Sequence, residues 1–157
     1  MHPNAERVDA ALRAGGATGQ IVELDDSART AAEAAAALGV PIGAIVKSLV
    51  FAADGDAVLV LASGDHQVDP AKLAGVLGAD RVKRADADLV RAATGFPIGG
   101  VAPVGHPAPL PTVVDEHLST FDVIWAAAGT PHAVFPTSYD ELVRLSGGTP
   151  AEVAASP

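Results

Sequence analysis

Lys47 and Ser48 are the residues whose types and surroundings best suit them to chemistry. They stand in the run Gly43-Ala-Ile-Val-Lys47-Ser-Leu-Val-Phe51, an aliphatic and β-branched segment of strand length with one ammonium in its middle. Side chains of a strand alternate between faces, so Lys47 shares a face with Ile45, Leu49 and Phe51, and Ser48 lies with Val46 and Val50. Neither face is solvent-like. A lysine there either snorkels, covering apolar surface with its stem, or holds its proton weakly and requires an anion. Both readings stand from this stretch alone. The alternation also counts against Ser48 as a nucleophile activated by Lys47, because the two point to opposite sides.

The second chemically suggestive stretch is Gly95-Phe-Pro-Ile-Gly-Gly-Val-Ala-Pro-Val-Gly-His-Pro-Ala-Pro-Leu-Pro111. Its glycines permit positive φ and close backbone approach, and its prolines stiffen the path. Such a loop can present N–H groups to an oxygen; a connecting turn without a ligand would use the same residues. It contains neither GxGxxG nor GxxxxGK[ST], so it is no nucleotide fingerprint. Asp115, at the end of a short strand, offers a polar partner, although a turn or cap role fits it better. The histidines at 2, 66, 106, 117 and 132 show no HExxH or paired spacing, so no metal and no cofactor are expected. The absence of cysteine excludes disulfides, thiolate catalysis and Cys-type zinc sites. No GxSxG elbow is present.

The elements that must position these residues are short and well punctuated. Asn4 caps an expected helix over 5–14, and Gln20–Leu24 reads as a strand. Thr30 and Glu33 form a capping box before a helix over 31–38, stopped by Gly39. The Lys47 strand turns through Asp54-Gly55-Asp56 into a returning strand over 57–62. Two adjacent strands apolar on both faces imply a sheet covered on both sides or closed on itself. Asp69-Pro70 starts a helix to Leu77, 81–84 is a basic strand, and Asp86 caps a helix ending at Gly95. Strands follow over 112–115, 122–128 and 132–135, then a helix capped by Ser138 and a tail over 149–157 expected to fray.

With 157 residues, 49% of them hydrophobic, the chain suits a single domain with its own core over 1–157. No apolar run approaches a membrane span and the first residues lack signal-peptide character, so a soluble, cytoplasmic protein without a membrane partner is expected. A net charge of -9 argues against a general nucleic-acid coat, and no DNA partner is expected. Half of the basic residues (Lys72, Arg81, Lys83, Arg84 and Arg91) fall in one stretch, but aspartates interleave them and make it a mixed-charge face.

The ordered set Thr30-Ala-Ala-Glu33, Leu38-Gly-Val-Pro41, Ile45–Phe51, Val68-Asp69, Lys72-Leu73, Gly99-Gly-Val-Ala-Pro-Val-Gly105, Asp115-Glu116 and Ala128-Gly129 resembles the YbaK/EbsC family. That family is related to the editing domain inserted in bacterial prolyl-tRNA synthetases. The resemblance implies an α+β fold, a mixed and mostly antiparallel β-barrel-like sheet with helices packed outside. It implies a trans-editing aminoacyl-tRNA deacylase that hydrolyses tRNA(Pro) mischarged with cysteine or alanine. The implied partners are the acceptor end of aminoacyl-tRNA and prolyl-tRNA synthetase.

By the same resemblance Lys47 and Gly100 are the catalytic residues. Ser48, Gly99, Val101, Pro103, Gly105, Asp115, Ala128 and Gly129 bind substrate. Some members carry a serine where this chain has Ala127, a departure that bears on which amino acid is recognised. Members thought to lack a protein general base use a hydroxyl of the terminal ribose to position water. Two other classes fit the residues: a non-catalytic module binding a nucleotide or aminoacyl-type ligand, and a hydrolase of small free esters.

Overall fold

The structure, a computed structural model, describes residues Met1–Ser156. Its elements in chain order are α1 (Pro3–Ala14), β1 (Val22–Glu23), α2 (Ala31–Leu38), β2 (Val46–Ala53), β3 (Asp56–Ser63), α3 (Pro70–Leu77) and β4 (Val82–Arg84). They continue with α4 (Ala87–Thr94), β5 (Thr112–Asp115), β6 (Ile124–Ala127), β7 (Ala133–Thr137), α5 (Tyr139–Ser146) and β8 (Thr149–Ala151). Short 3₁₀ turns precede β2 (Ile42–Ala44) and follow β5 (Glu116–Thr120). No described helix is long and apolar enough to cross a membrane.

Local chemistry sets most boundaries. The side chains of Thr30, Asp69, Asp86 and Ser138 each accept an N–H from the first turn of their helix. The first helix is the exception: His2, not Asn4, is its cap, and its ring accepts the Asn4 N–H. The β2–β3 hairpin turns on Asp54 and Gly55, both at positive φ, as a two-residue turn of matching twist requires. The Asp54 carboxylate fixes that turn by accepting the N–H groups of Asp80 and Arg81.

Two sheets result. One has the order β4-β2-β3-β5-β8, antiparallel through β3 and parallel beyond it; the other, β1-β7-β6, is antiparallel throughout. The fold is therefore α+β with mostly antiparallel pairing. It is not a closed barrel. Among the described residues the sheets are joined by one bridge, Ile45 to Trp125, because β4 is too short and β6 reaches only Ile45, leaving part of β2 uncovered.

The five-stranded sheet is covered on both faces, as its strands require. Val46, Val50, Leu59 and Leu61 pack toward the second sheet and α1 in the main core, with Phe135, Leu12 and Phe96. Phe51, Val60, Ala62 and Val113 meet Leu73 of α3 and Val153 on the other face. The expected frayed tail is corrected here. β8 pairs with β5, Val153 is fully buried, and Ala154 bridges Val68. A strand added at an edge draws its order from the partner's backbone, which no local pattern announces. Pro157 lies outside the described residues.

Candidate functional site

The uncovered part of β2 opens on a cleft of about 330 Å³. Along Lys47–Leu49, β2 has β3 on one side and no strand on the other, since β4 begins pairing only at Phe51 and Trp125 stops at Ile45. The cleft walls are Ala31 and Ala34 of α2, Trp125–Ala127 of β6, and Ile98, Gly99 and Val101 of the glycine-rich loop. Arg29 and Arg84 stand at its rim, both exposed. Arg84 lies over the Phe51 ring, 5.6 Å from its centroid. The capping box, in which Thr30 accepts the Glu33 N–H at 3.1 Å, starts α2 directly after Arg29. Gly99, at φ +88°, passes so close beneath Arg29 that a Cβ would lie 2.5 Å from its side chain.

Ser48 lies on the strand face of Val46 and Val50, and it lines the cleft. Its Oγ is buried and has no hydrogen-bond partner among the described residues. An unmet hydroxyl costs about 1–3 kcal/mol, so this atom marks where a polar ligand group would be rewarded.

Lys47 also contributes to the cleft wall, but its ammonium donates to the His66 carbonyl. Burial, the largest cause, holds its pKa below the ordinary lysine value; the Arg84 charge adds to the depression, and Asp65 and Asp115 oppose it. Of the two sequence readings, partial desolvation with carboxylates nearby describes the side chain.

Of the remaining implied site residues, only Val101 lines the cleft among the described residues. Gly100 is buried, donates its N–H to the Pro97 carbonyl at 3.0 Å, and is not among the positive-φ glycines. What requires glycine there is proximity: a Cβ would lie 3.0–3.1 Å from the Thr130 backbone. Val101 is on the wall, whereas Pro103 is buried behind it and Gly105 packs against Phe96 and Val8. Ala128 donates to the Ala133 carbonyl, and Gly129, at φ +95°, receives Asn4 Nδ2 on its carbonyl at 3.2 Å. These two set the β6–β7 turn, while the neighbouring Ala127 reaches the cleft.

Asp115 is 1% exposed and lies on the opposite face of the sheet, accepting from Ser63 N, His117 N and the His66 ring. The histidines are also less scattered than their spacing indicated: His66 and His117 stack beside Asp65. Sequence reasoning passed over Arg29 and Trp125; the signal for Arg29 was its position just ahead of a capping box.

The model of the aminoacyl-tRNA editing domain matches residues 25–145, which includes α2, the Lys47 strand, the loop and the β6–β7 turn. The chain belongs to the aminoacyl-tRNA editing domain family. This editing domain is 37% identical over 133 residues to a proline–tRNA ligase of Desulfovibrio desulfuricans, a match covering 82% of the chain and 23% of that ligase. A proline–tRNA ligase of Solidesulfovibrio magneticus is 33% identical over 132 residues, 77% of the chain and 23% of the ligase. The matches to such ligases span between 14% and 23% of their length. A solved structure of a proposed trans-editing enzyme for prolyl tRNA synthetase superposes with a TM-score of 0.93 at 43% identity, over 99% of both chains.

Proposed function

We propose that this protein is an aminoacyl-tRNA deacylase that clears a small amino acid, alanine or cysteine, from mischarged tRNA(Pro), acting in trans beside prolyl-tRNA synthetase. Water adds to the ester carbonyl carbon and the bond to the ribose oxygen breaks. Free amino acid leaves, and the tRNA regains its terminal hydroxyl.

The observation that carries this reading is Ser48 Oγ, buried without a partner in the wall of a cleft whose rim is cationic. A polar group of the aminoacyl-adenosine end would satisfy that hydroxyl once it displaced the side chains that cover it. Arg29 and Arg84 would meet phosphates at the rim. Lys47 has three N–H donors and commits one to the His66 carbonyl, so the others remain for the terminal phosphate or ribose. Its contribution is positioning, with charge made more favourable once the phosphate arrives.

The developing oxyanion requires N–H donors fixed in place. Gly99 and Val101, on the wall, are better situated for this than Gly100, whose N–H is already donated. Ala31, Ala34, Ala126 and Ala127 make much of the cleft wall apolar, which suits an amino acid with an uncharged side chain.

The test is a deacylation panel of tRNAs charged with Pro, Ala, Cys, Ser and Thr, run beside a free alanine ester. Selective turnover of Ala- or Cys-tRNA(Pro) is expected. Turnover of the free ester at an equal rate, or of no substrate, would remove the proposal.

A further inference from the structure

Deacylation leaves unused a side-chain cluster on the sheet face opposite the cleft. Asp65, His66 and His117 each offer one ligand atom there, and these atoms lie within 4.8 Å of one another. Asp65 Oδ1 stands 4.0 Å from His66 Nε2 and 3.9 Å from His117 Nε2. The parallel pairing of β3 with β5 places the turn after β3, with Asp65 and His66, beside the 3₁₀ turn bearing His117. The two imidazoles stack with centroids 4.3 Å apart.

The environment of His66 adds a second, independent observation. Its Nδ1 lies 2.8 Å from Oδ2 of the buried Asp115. In the neutral ring this puts the proton on Nδ1 and leaves the Nε2 lone pair directed away from Asp115. Asp115 also accepts the Ser63 and His117 N–H groups, at 3.0 and 3.1 Å, so one carboxylate ties down both histidine-bearing segments. A carboxylate behind a histidine, with the other ring nitrogen free beside a second imidazole and a second carboxylate, is the outer and inner arrangement of a metal centre.

We propose that Asp65, His66 and His117 bind a divalent first-row transition cation, with Asp115 as the outer carboxylate that orients His66. Two imidazoles and one carboxylate suit zinc, with water in the fourth position. Tetrahedral zinc wants ligand atoms about 3.4 Å apart, so each must close in by roughly 0.5 Å or more. The Asp65 side chain is 43% exposed, but its Oδ1 accepts from Ser63 Oγ at 2.8 Å, a bond it must share or release as it closes on the metal. The Lys47 ammonium, bound to the His66 carbonyl, and Lys72, on the wall shared with the cluster, are cations beside the site and hold its affinity below that of a closed four-ligand centre. The bound metal would clip the turn after β3 to the turn after β5.

The test uses the full chain, stripped with a chelator and titrated with Co²⁺ for visible d–d absorption and with Zn²⁺ by calorimetry. One equivalent of each is expected to bind, and zinc is expected to raise the melting temperature. Removing an outer carboxylate typically costs 10–100-fold in affinity, so His117→Gln, which removes a direct ligand, should cost about 100-fold or more and abolish the absorption. Asp65→Asn, at an exposed position, gives the same answer where His117→Gln folds poorly. His132→Gln, at an exposed histidine elsewhere, should leave binding unchanged. Absence of stoichiometric binding, or binding that survives both ligand variants, would overturn the proposal.

Discussion

Lys47→Met separates the two things a half-buried lysine can do. The substitution keeps the length of the stem and removes the charge. In the free protein it deletes one hydrogen bond to the His66 carbonyl and the attraction of Asp65 and Asp115, and it relieves the desolvation that lowers the lysine pKa. A hydrogen bond from a charged group is worth about 1.5–3 kcal/mol, and burying an ammonium in part costs a comparable amount. The two nearly cancel, so stability should change by no more than about 1 kcal/mol, or about 2–4 °C in melting temperature for a domain of this size. Activity should not be spared. If Lys47 positions the terminal phosphate or ribose, its loss costs on the order of 10²-fold in single-turnover deacylation, which is about 2.7 kcal/mol of transition-state stabilisation. Both quantities are measured on one variant, by thermal melting and by hydrolysis of the best substrate of the panel. A variant that melts far below the wild type, or one that hydrolyses normally, would refute the reasoning and leave Lys47 structural.

Three further outcomes follow from particular contacts. Ser48→Ala removes the unpartnered hydroxyl, so the melting temperature should hold or rise by the equivalent of about 1 kcal/mol while deacylation slows; a clear fall in stability would show that the hydroxyl has a partner in solution. Gly100→Val forces atoms against the Thr130 backbone and should cost about 1–3 kcal/mol of stability, read by denaturant titration, with activity falling in step; full stability with lost activity would return Gly100 to the catalytic role that the family resemblance implied. His106, edge-on to Phe96 with Nε2 2.8 Å from the Ala102 carbonyl, has its pKa lowered mainly by burial. The unfolded chain therefore takes up this proton at higher pH than the folded one, and stability present above about pH 6.5 is lost as the pH falls below it. The melting temperature should drop less steeply between about pH 7 and pH 5 in His106→Gln than in the wild type; parallel curves would contradict the assignment.

How much of this was legible in the sequence depended on whether the determinants were local. The caps at Thr30, Asp69, Asp86 and Ser138 lie within three residues of the N–H groups they accept, and each was readable. The two faces of β2 followed from alternation alone, including Ser48 beside Val46 and Val50. What could not be read was set by long-range pairing. Asp115 looked like a substrate residue until the β3–β5 register placed it behind His66. The direction of the Lys47 head depends on a carbonyl 19 residues away, and Gly100 is fixed by the approach of Thr130 rather than by its own φ. The gap that makes the cleft depends on how short β4 is, which no rule of periodicity specifies.

The central claim is that the aminoacyl end of the substrate occupies the cleft along the uncovered edge of β2. It is tested most directly by titrating the isotope-labelled protein with alanylamido-adenosine, the non-hydrolysable amide of the charged terminus, and following amide and indole NMR shifts. Perturbations are expected at Ser48, Leu49, Gly99, Val101 and the Trp125 indole, all on the cleft wall, with His66, Asp115 and His117 little changed. Shifts concentrated on the opposite face, with the cleft silent, would contradict it.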